Sequence, residues 1–96
     1  MKKGYWVVAY RSVRDESVLK EYGKLAIQAI DAAGGRILLR TNDVEAREAG
    51  LKQRTVVMEF ESLETAIGTY NSAAYQAALR VLGSAAERDF RIVEGA

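Results

Sequence analysis

The sequence predicts an α+β domain in the order β-α-β-β-α-β, a four-stranded antiparallel sheet with its helices on one face. Three observations carry this prediction. Four short stretches, residues 5–12, 36–41, 55–61 and 88–94, are built from β-branched, aromatic or alternating apolar residues. A long segment with apolar residues at three- and four-residue steps separates the first two and stops at Gly34-Gly35. A second helical segment, broken at Asn71-Ser72, separates the last two. Right-handed crossovers then set the first and third strands side by side in the centre.

Taken in order, residues 5–12 (YWVVAYRS) are apolar on both faces, the mark of a strand covered on both sides. Residues 15–33 form the long helix. Ser12 and Asp15 give it an S-x-x-D start, and Val18, Tyr22, Leu25, Ala26, Ala29 and Ala33 give it an apolar stripe. Glycine at the left-handed position ends it. Residues 36–41 (RILLRT) form the second strand, and the charged stretch 42–54 reads as a solvated hairpin. Val44 to Arg47 would extend the strand, with a turn near Gly50. In residues 55–61 (TVVMEFE), Val56, Met58 and Phe60 share one face. Ser62 caps a helix with Leu63, Ala66, Ile67 and Tyr70 inward, and Ser72 caps a third helix carrying Tyr75, Leu79 and Leu82. Residues 88–94 (RDFRIVE) close the sheet.

The 96-residue length fits one domain, residues 1–96, whose core is marginal for its size. The chain has no cysteine and no histidine. That excludes cysteine nucleophiles and Ser-His-Asp triads, and leaves the usual zinc, haem and iron–sulfur sites without ligands. No metal and no cofactor is therefore expected. A net charge of +1 is too balanced for a dedicated nucleic-acid binder. The third strand also lacks the basic-glycine-aromatic pattern by which RNA-binding sheets of this topology stack bases. The apolar run after Lys2-Lys3 stops at Arg11, too short for a signal peptide, and no stretch approaches the roughly 20 apolar residues of a membrane helix. A cytoplasmic location without membrane association is expected.

With helices on one face only, the other face carries Val57, Leu38 and one alternate set from the first strand. That face is too apolar to stay bare, and a homodimer with two sheets stacked face to face is expected. Strand parity adds one constraint. If Ile37 and Leu39 share the helix side with Val56, Met58 and Phe60, then Arg36 and Arg40 share the opposite face with Glu59.

The N-terminal GYW, Gly34-Gly35-Arg36, Glu59-Phe60, Tyr70-x-Ser72-x-x-Tyr75-Gln76, Arg88 and the closing Val93-Glu94-Gly95 together resemble the domain-of-unknown-function 1330 family over almost the whole chain. The resemblance implies a ferredoxin-like fold assembled as a dimeric α+β barrel, with a cavity between sheet and helices. It implies no reaction. Where the family has Ser-Pro-Glu-Tyr this chain has Ser72-Ala73-Ala74-Tyr75, so any role of that glutamate is lost.

The candidate ligand-binding residues are Trp6, Arg40, Glu59, Tyr70, Ser72, Tyr75 and Arg88. An arginine with Glu59 orients a polar or anionic ligand or forms a cross-strand ion pair. Tyr70, Ser72 and Tyr75 line a pocket mouth with hydroxyls, or pack and cap a helix. Trp6, with Tyr5 and Tyr10, stacks on a ligand or fills the core. Arg88 reaches the same cavity or pairs with Glu87 or Asp89. The expected function is binding of a small polar or anionic organic molecule between sheet and helices. The alternatives are a cofactor-independent oxygenase or isomerase using Glu59 or a tyrosine as acid–base, and a non-catalytic dimerisation module.

Overall fold

The computed structural model describes residues 2–96. Its elements are β1 (Gly4–Val13), α1 (Glu16–Ala32), β2 (Arg36–Thr41), β3 (Thr55–Phe60), α2 (Leu63–Asn71), α3 (Ala73–Leu82) and β4 (Ala86–Glu94). The antiparallel sheet runs β2-β3-β1-β4, with the first and third strands central. The second helical segment is two helices broken at Ser72, so the full order is βαββααβ. No helix among the described residues is long and apolar enough to cross a membrane.

Asp15, not a Ser12–Asp15 pair, starts α1. Its carboxylate accepts from the Ser17 and Val18 amides at 3.1 Å and from the Ser17 hydroxyl at 2.7 Å. The Ser17 hydroxyl, with the two amides, holds this carboxyl below its ordinary range. Ser12 is unavailable because it is paired with Glu87 in the β1–β4 ladder. The helix ends as expected: Gly34 takes φ 75° and the Gly35 amide donates to the Ile30 carbonyl at 2.9 Å.

The stripe that α1 buries is Leu19, Tyr22, Ala26, Ala29 and Ile30. Leu25, expected inside, is exposed, because the helix is rotated to set Tyr22 and Ile30 over the sheet. Ile67 of α2 is likewise exposed, and Thr69 is buried in its place. The Thr69 hydroxyl is satisfied by donating to the Thr65 carbonyl at 2.7 Å, so burying it leaves no orphaned polar group. Val44 to Arg47 do not extend β2. The Asp43 amide donates to the Thr41 hydroxyl at 2.9 Å, turning the chain out of the ladder, and a turn closes at Gly50 onto the Arg47 carbonyl.

The core is organised on the helix-facing row of β1, Trp6, Val8 and Tyr10, all buried. The Trp6 ring lies 4.7–5.1 Å from those of Phe60, Tyr75 and Phe90, and its indole N–H donates to the Ala66 carbonyl at 2.9 Å. Burial of such a ring with its N–H satisfied is the largest single contribution a side chain makes to a core this small.

The β2–β3 register breaks the parity argument. Arg36 opposes Glu59 and Ile37 opposes Met58, but Leu39 opposes Val57 and Arg40 opposes Val56. Leu38 is the extra residue of a β-bulge, and every residue after it changes face. Arg40 therefore lies on the helix side, not beside Glu59.

At the start of β1 the backbone passes against the start of α2. A Cβ on Gly4 would lie 2.3 Å from the Ser62 carbonyl oxygen and 2.7 Å from Leu63 Cα. Neither atom is a movable side-chain end. Gly4→Ala should therefore cost about 3 kcal/mol or more, at the upper end of overpacking penalties, read as a fall in the urea midpoint at unchanged slope.

Candidate functional site

The residues singled out from the sequence fall into three places. The first is the open face of the sheet. There Glu59 accepts from Arg36 Nε at 3.1 Å and from the Tyr5 hydroxyl at 3.1 Å. The bond to the Glu59 carboxylate, with burial, raises the Tyr5 hydroxyl above the ordinary tyrosine value. Glu59 faces away from the helices, and the cross-strand ion-pair reading describes its contacts fully.

The second place is the closed end of the core. Trp6 and Tyr75 have no exposed surface, and Tyr70 packs edge-on against Phe90 at 5.1 Å. Ser72 is a helix cap: its hydroxyl accepts from the Tyr75 amide at 3.2 Å and donates to the Thr69 carbonyl at 2.7 Å. Trp6, Tyr70 and Tyr75 fill the interior, and Ser72 borders a shallow groove with Thr65 and Thr69.

The third place is the opposite end of the same sheet face, under the N-terminal half of α1. β-Ladder pairing puts Arg88 of β4 beside Tyr10 of β1, and the Tyr10 amide donates to the Arg54 carbonyl at 3.0 Å. Arg88 and Arg54 therefore flank Tyr10, with guanidinium carbons 5.8 Å and 5.7 Å from its ring centroid. Arg88 also lies 5.0 Å from the Tyr22 ring and 5.2 Å from the Phe90 ring. Cation–π contact of this kind stabilises a guanidinium but does not neutralise it. The bulge swings Arg40 to the same side.

A hydroxyl relay ties this end to the core. Arg88 Nη1 donates to the Tyr22 hydroxyl at 2.9 Å, and the Tyr22 and Tyr75 hydroxyls are 2.5 Å apart. One of these two hydroxyls donates to the other. Burial is the main cause that raises both hydroxyls above the ordinary tyrosine value, Tyr75 the more strongly. Both remain protonated at neutral pH and serve as hydrogen-bonding groups rather than bases.

None of the ion pairs among the described residues includes Arg40, Arg54 or Arg88. Arg54 Nε is buried without a hydrogen-bond partner, and it is the one such side-chain atom among the described residues. A buried guanidinium N–H left unpaired is costly, and Arg40 and Arg54 line one slot that has no carboxylate in its wall, which adds mutual repulsion. A slot of ≈ 50 Å³ lies between Tyr10, Tyr22, Ile30, Met58 and the two arginines 40 and 54. It opens into a wider cleft of ≈ 450 Å³ along α1. Of the residues lining these two spaces, Lys20, Lys24, Arg40 and Arg54 are basic and Glu16 alone is acidic. Among the described residues no cluster of acidic side chains is arranged to hold a metal.

Residues 3–96 match the family described as Domain of unknown function (DUF1330). The chain belongs to the DUF1330 family. No curated protein matches it. Among solved structures, a protein of unknown function from Rhodopseudomonas palustris superposes with a TM-score of 0.70 at 14% identity, covering 97% of this chain and 80% of that one. A candidate antibiotic biosynthesis monooxygenase from Caulobacter crescentus gives 0.59 at 13% identity, over 99% and 92%. A protein from Bacteroides fragilis, described as dimeric with a ferredoxin-like fold, gives 0.55 at 16% identity, over 96% and 95%. At these identities the likeness establishes the fold of this DUF1330 chain, which is ferredoxin-like.

Of the residues named from sequence, Arg40 and Arg88 belong to the arginine end, and Tyr75 reaches it through the Tyr22 hydroxyl and Arg88. Arg54 and Tyr22 were not singled out as site residues. Arg54 immediately precedes β3 and shares parity with Val56, a signal present in the sequence but masked by the charged loop around it.

Two consequences follow for the relay. Tyr22→Phe leaves both Arg88 Nη1 and the Tyr75 hydroxyl without their partner, and should cost about 1–3 kcal/mol in urea unfolding. Because the two hydroxyls share one bond, Tyr22→Phe/Tyr75→Phe should cost less than the sum of the single changes. Unfolded tyrosines ionise near pH 10 while Tyr22 and Tyr75 stay protonated in the fold, so the native state binds more protons there. Stability should fall as pH rises past about 10, and less steeply in the double variant.

Proposed function

We propose that this DUF1330 chain is a single-domain homodimer that binds a small anionic organic molecule in the cleft between the sheet and α1. The observation that carries the reading is that Arg40 and Arg54 line the slot with Tyr10, without carboxylate partners and with Arg54 Nε buried and unpaired. A planar anion, above all a carboxylate, matches the fork of guanidinium donors and removes both the repulsion and the orphaned N–H. The basic rim of Lys20 and Lys24 would draw an anion into the cleft.

Binding is favoured over the oxygenase alternative by what the cleft contains. The Tyr22 hydroxyl holds its proton, and Glu59 is on the other side of the sheet, engaged by Arg36 and Tyr5. The cleft is dominated by anchoring positive charge, with Glu16 its one acidic group.

Support for the homodimer comes from the open face. Tyr5, Val7, Ala9 and Val57 lie at its centre and Leu39 and Val93, 43% and 40% exposed, at its sides. Charged pairs border this strip, Arg36 with Glu59 and Arg91 with Asp89 at 3.0 Å. An apolar strip inside a polar rim is the anatomy of a protein interface, and the Bacteroides fragilis protein of the same fold is described as dimeric.

Two measurements test this reading. Thermal-shift titration at low ionic strength should show stabilisation by small carboxylates and none by their neutral amides. Arg54→Gln should weaken that response at least tenfold; equal responses to acid and amide would sink the reading. Val57→Glu, a charge at the centre of the strip, should convert the dimer to a folded monomer in light scattering coupled to gel filtration.

A further inference from the structure

Gly23 sits in the middle of α1, where glycine is the poorest choice after proline. Nothing in the protein requires it. Its φ is not positive, and a Cβ built there meets no atom within 4 Å. Gly4 and Gly35 differ in this respect: a Cβ on either would collide, on Gly35 with Phe60 Cε1 at 2.6 Å. Gly23 instead lines both the slot and the wider cleft, between Tyr22 and Ala26 and across from Arg40 and Arg54. A side chain there would project into the space beside the arginines.

The slot has two chemically distinct kinds of wall. Arg40 and Arg54 bring guanidinium groups to it. Ala26, Ile30, Ile37, Val56 and Met58 give it apolar surface. Its volume is only ≈ 50 Å³, and apolar walls favour hydrocarbon over water. A slot this small takes a short alkyl chain and no longer one.

We infer that Gly23 is the specificity-determining position of the cleft, and that the ligand is a short-chain aliphatic monocarboxylate. Its carboxylate lies on Arg40 and Arg54 and its hydrocarbon end lies in the slot beneath Gly23. The inference rests on the anion-binding reading above and adds to it the ligand class and the residue that measures chain length.

Gly68 supplies an internal control. It too is helical with no atom within 4 Å of a built Cβ, but it lines a groove of small and hydroxylated residues that contains no charged side chain. Gly23→Ala and Gly68→Ala should both raise the melting temperature, because alanine is the better helix former.

The test is calorimetric titration of the intact protein and of both variants with acetate, butyrate, octanoate and butyramide. The expected pattern is tighter binding of butyrate than of acetate or octanoate, and at least tenfold weaker binding of butyramide. Gly23→Ala should weaken butyrate at least tenfold with little change for acetate, while Gly68→Ala binds as the unaltered protein does. If carboxylates bind but Gly23→Ala retains full butyrate affinity, or affinity is indifferent to chain length, the inference fails and the anion-binding reading stands. If no carboxylate binds, or butyramide binds as well as butyrate, both fail.

Discussion

The indole of Trp6 ties the layers of this domain together. It sits on the central strand, donates to the Ala66 carbonyl of α2 and packs against Phe60 of β3, Tyr75 of α3 and Phe90 of β4. Four elements are thus fixed to β1 through one side chain. In a domain of this size, where the core is marginal, concentrating aromatic burial at one end has a consequence at the other. The same β1 row continues to Tyr10, where the packing gives way to guanidinium groups and a cleft under α1. The closed, dry end anchors the fold and the open, charged end is available for binding.

The two ends share one apolar core and are also coupled by tyrosines. Tyr75 belongs to the Trp6 cluster and Tyr22 to the arginine end, and their hydroxyls meet. Arg88 closes the chain on the Tyr22 hydroxyl. Because burial holds both hydroxyls protonated, this relay orients Arg88 without introducing a negative charge near it. A carboxylate in the same place would neutralise the arginine and remove the cleft's attraction for an anion. Glu59 shows what that alternative looks like: on the other face it pairs with Arg36 and is spent there.

Much of the fold was legible from periodicity and stop signals. The central position of β1 and β3, the helix end at Gly34, the break at Ser72 and the helix-facing set Val56, Met58 and Phe60 all follow from alternation, capping and crossover handedness. The candidate site was less legible because one residue changed its geometry. Leu38 reads as an ordinary strand residue, and nothing in RILLRT marks a bulge, yet the bulge moves Arg40 from the face of Glu59 to that of Tyr10. Arg54 was hidden differently: its surroundings are charged, but its backbone sits beside Tyr10 in the ladder and its Nε is buried. Leu25 and Ile67 fit helical spacing as well as Leu19 and Ile30 do, and only the docking angle of the helices on the sheet decides between them.

The central claim is that the unpaired arginines beneath α1 form an anion site, and the most direct measurement is on the guanidinium groups themselves. Nε–H resonances of the arginines, followed by nuclear magnetic resonance during addition of butyrate, distinguish the two faces of the sheet. The account predicts that the Arg54 Nε–H signal shifts and becomes protected from exchange, while that of Arg36, already bonded to Glu59, stays where it is. A shift at Arg36 with Arg54 unmoved would contradict it.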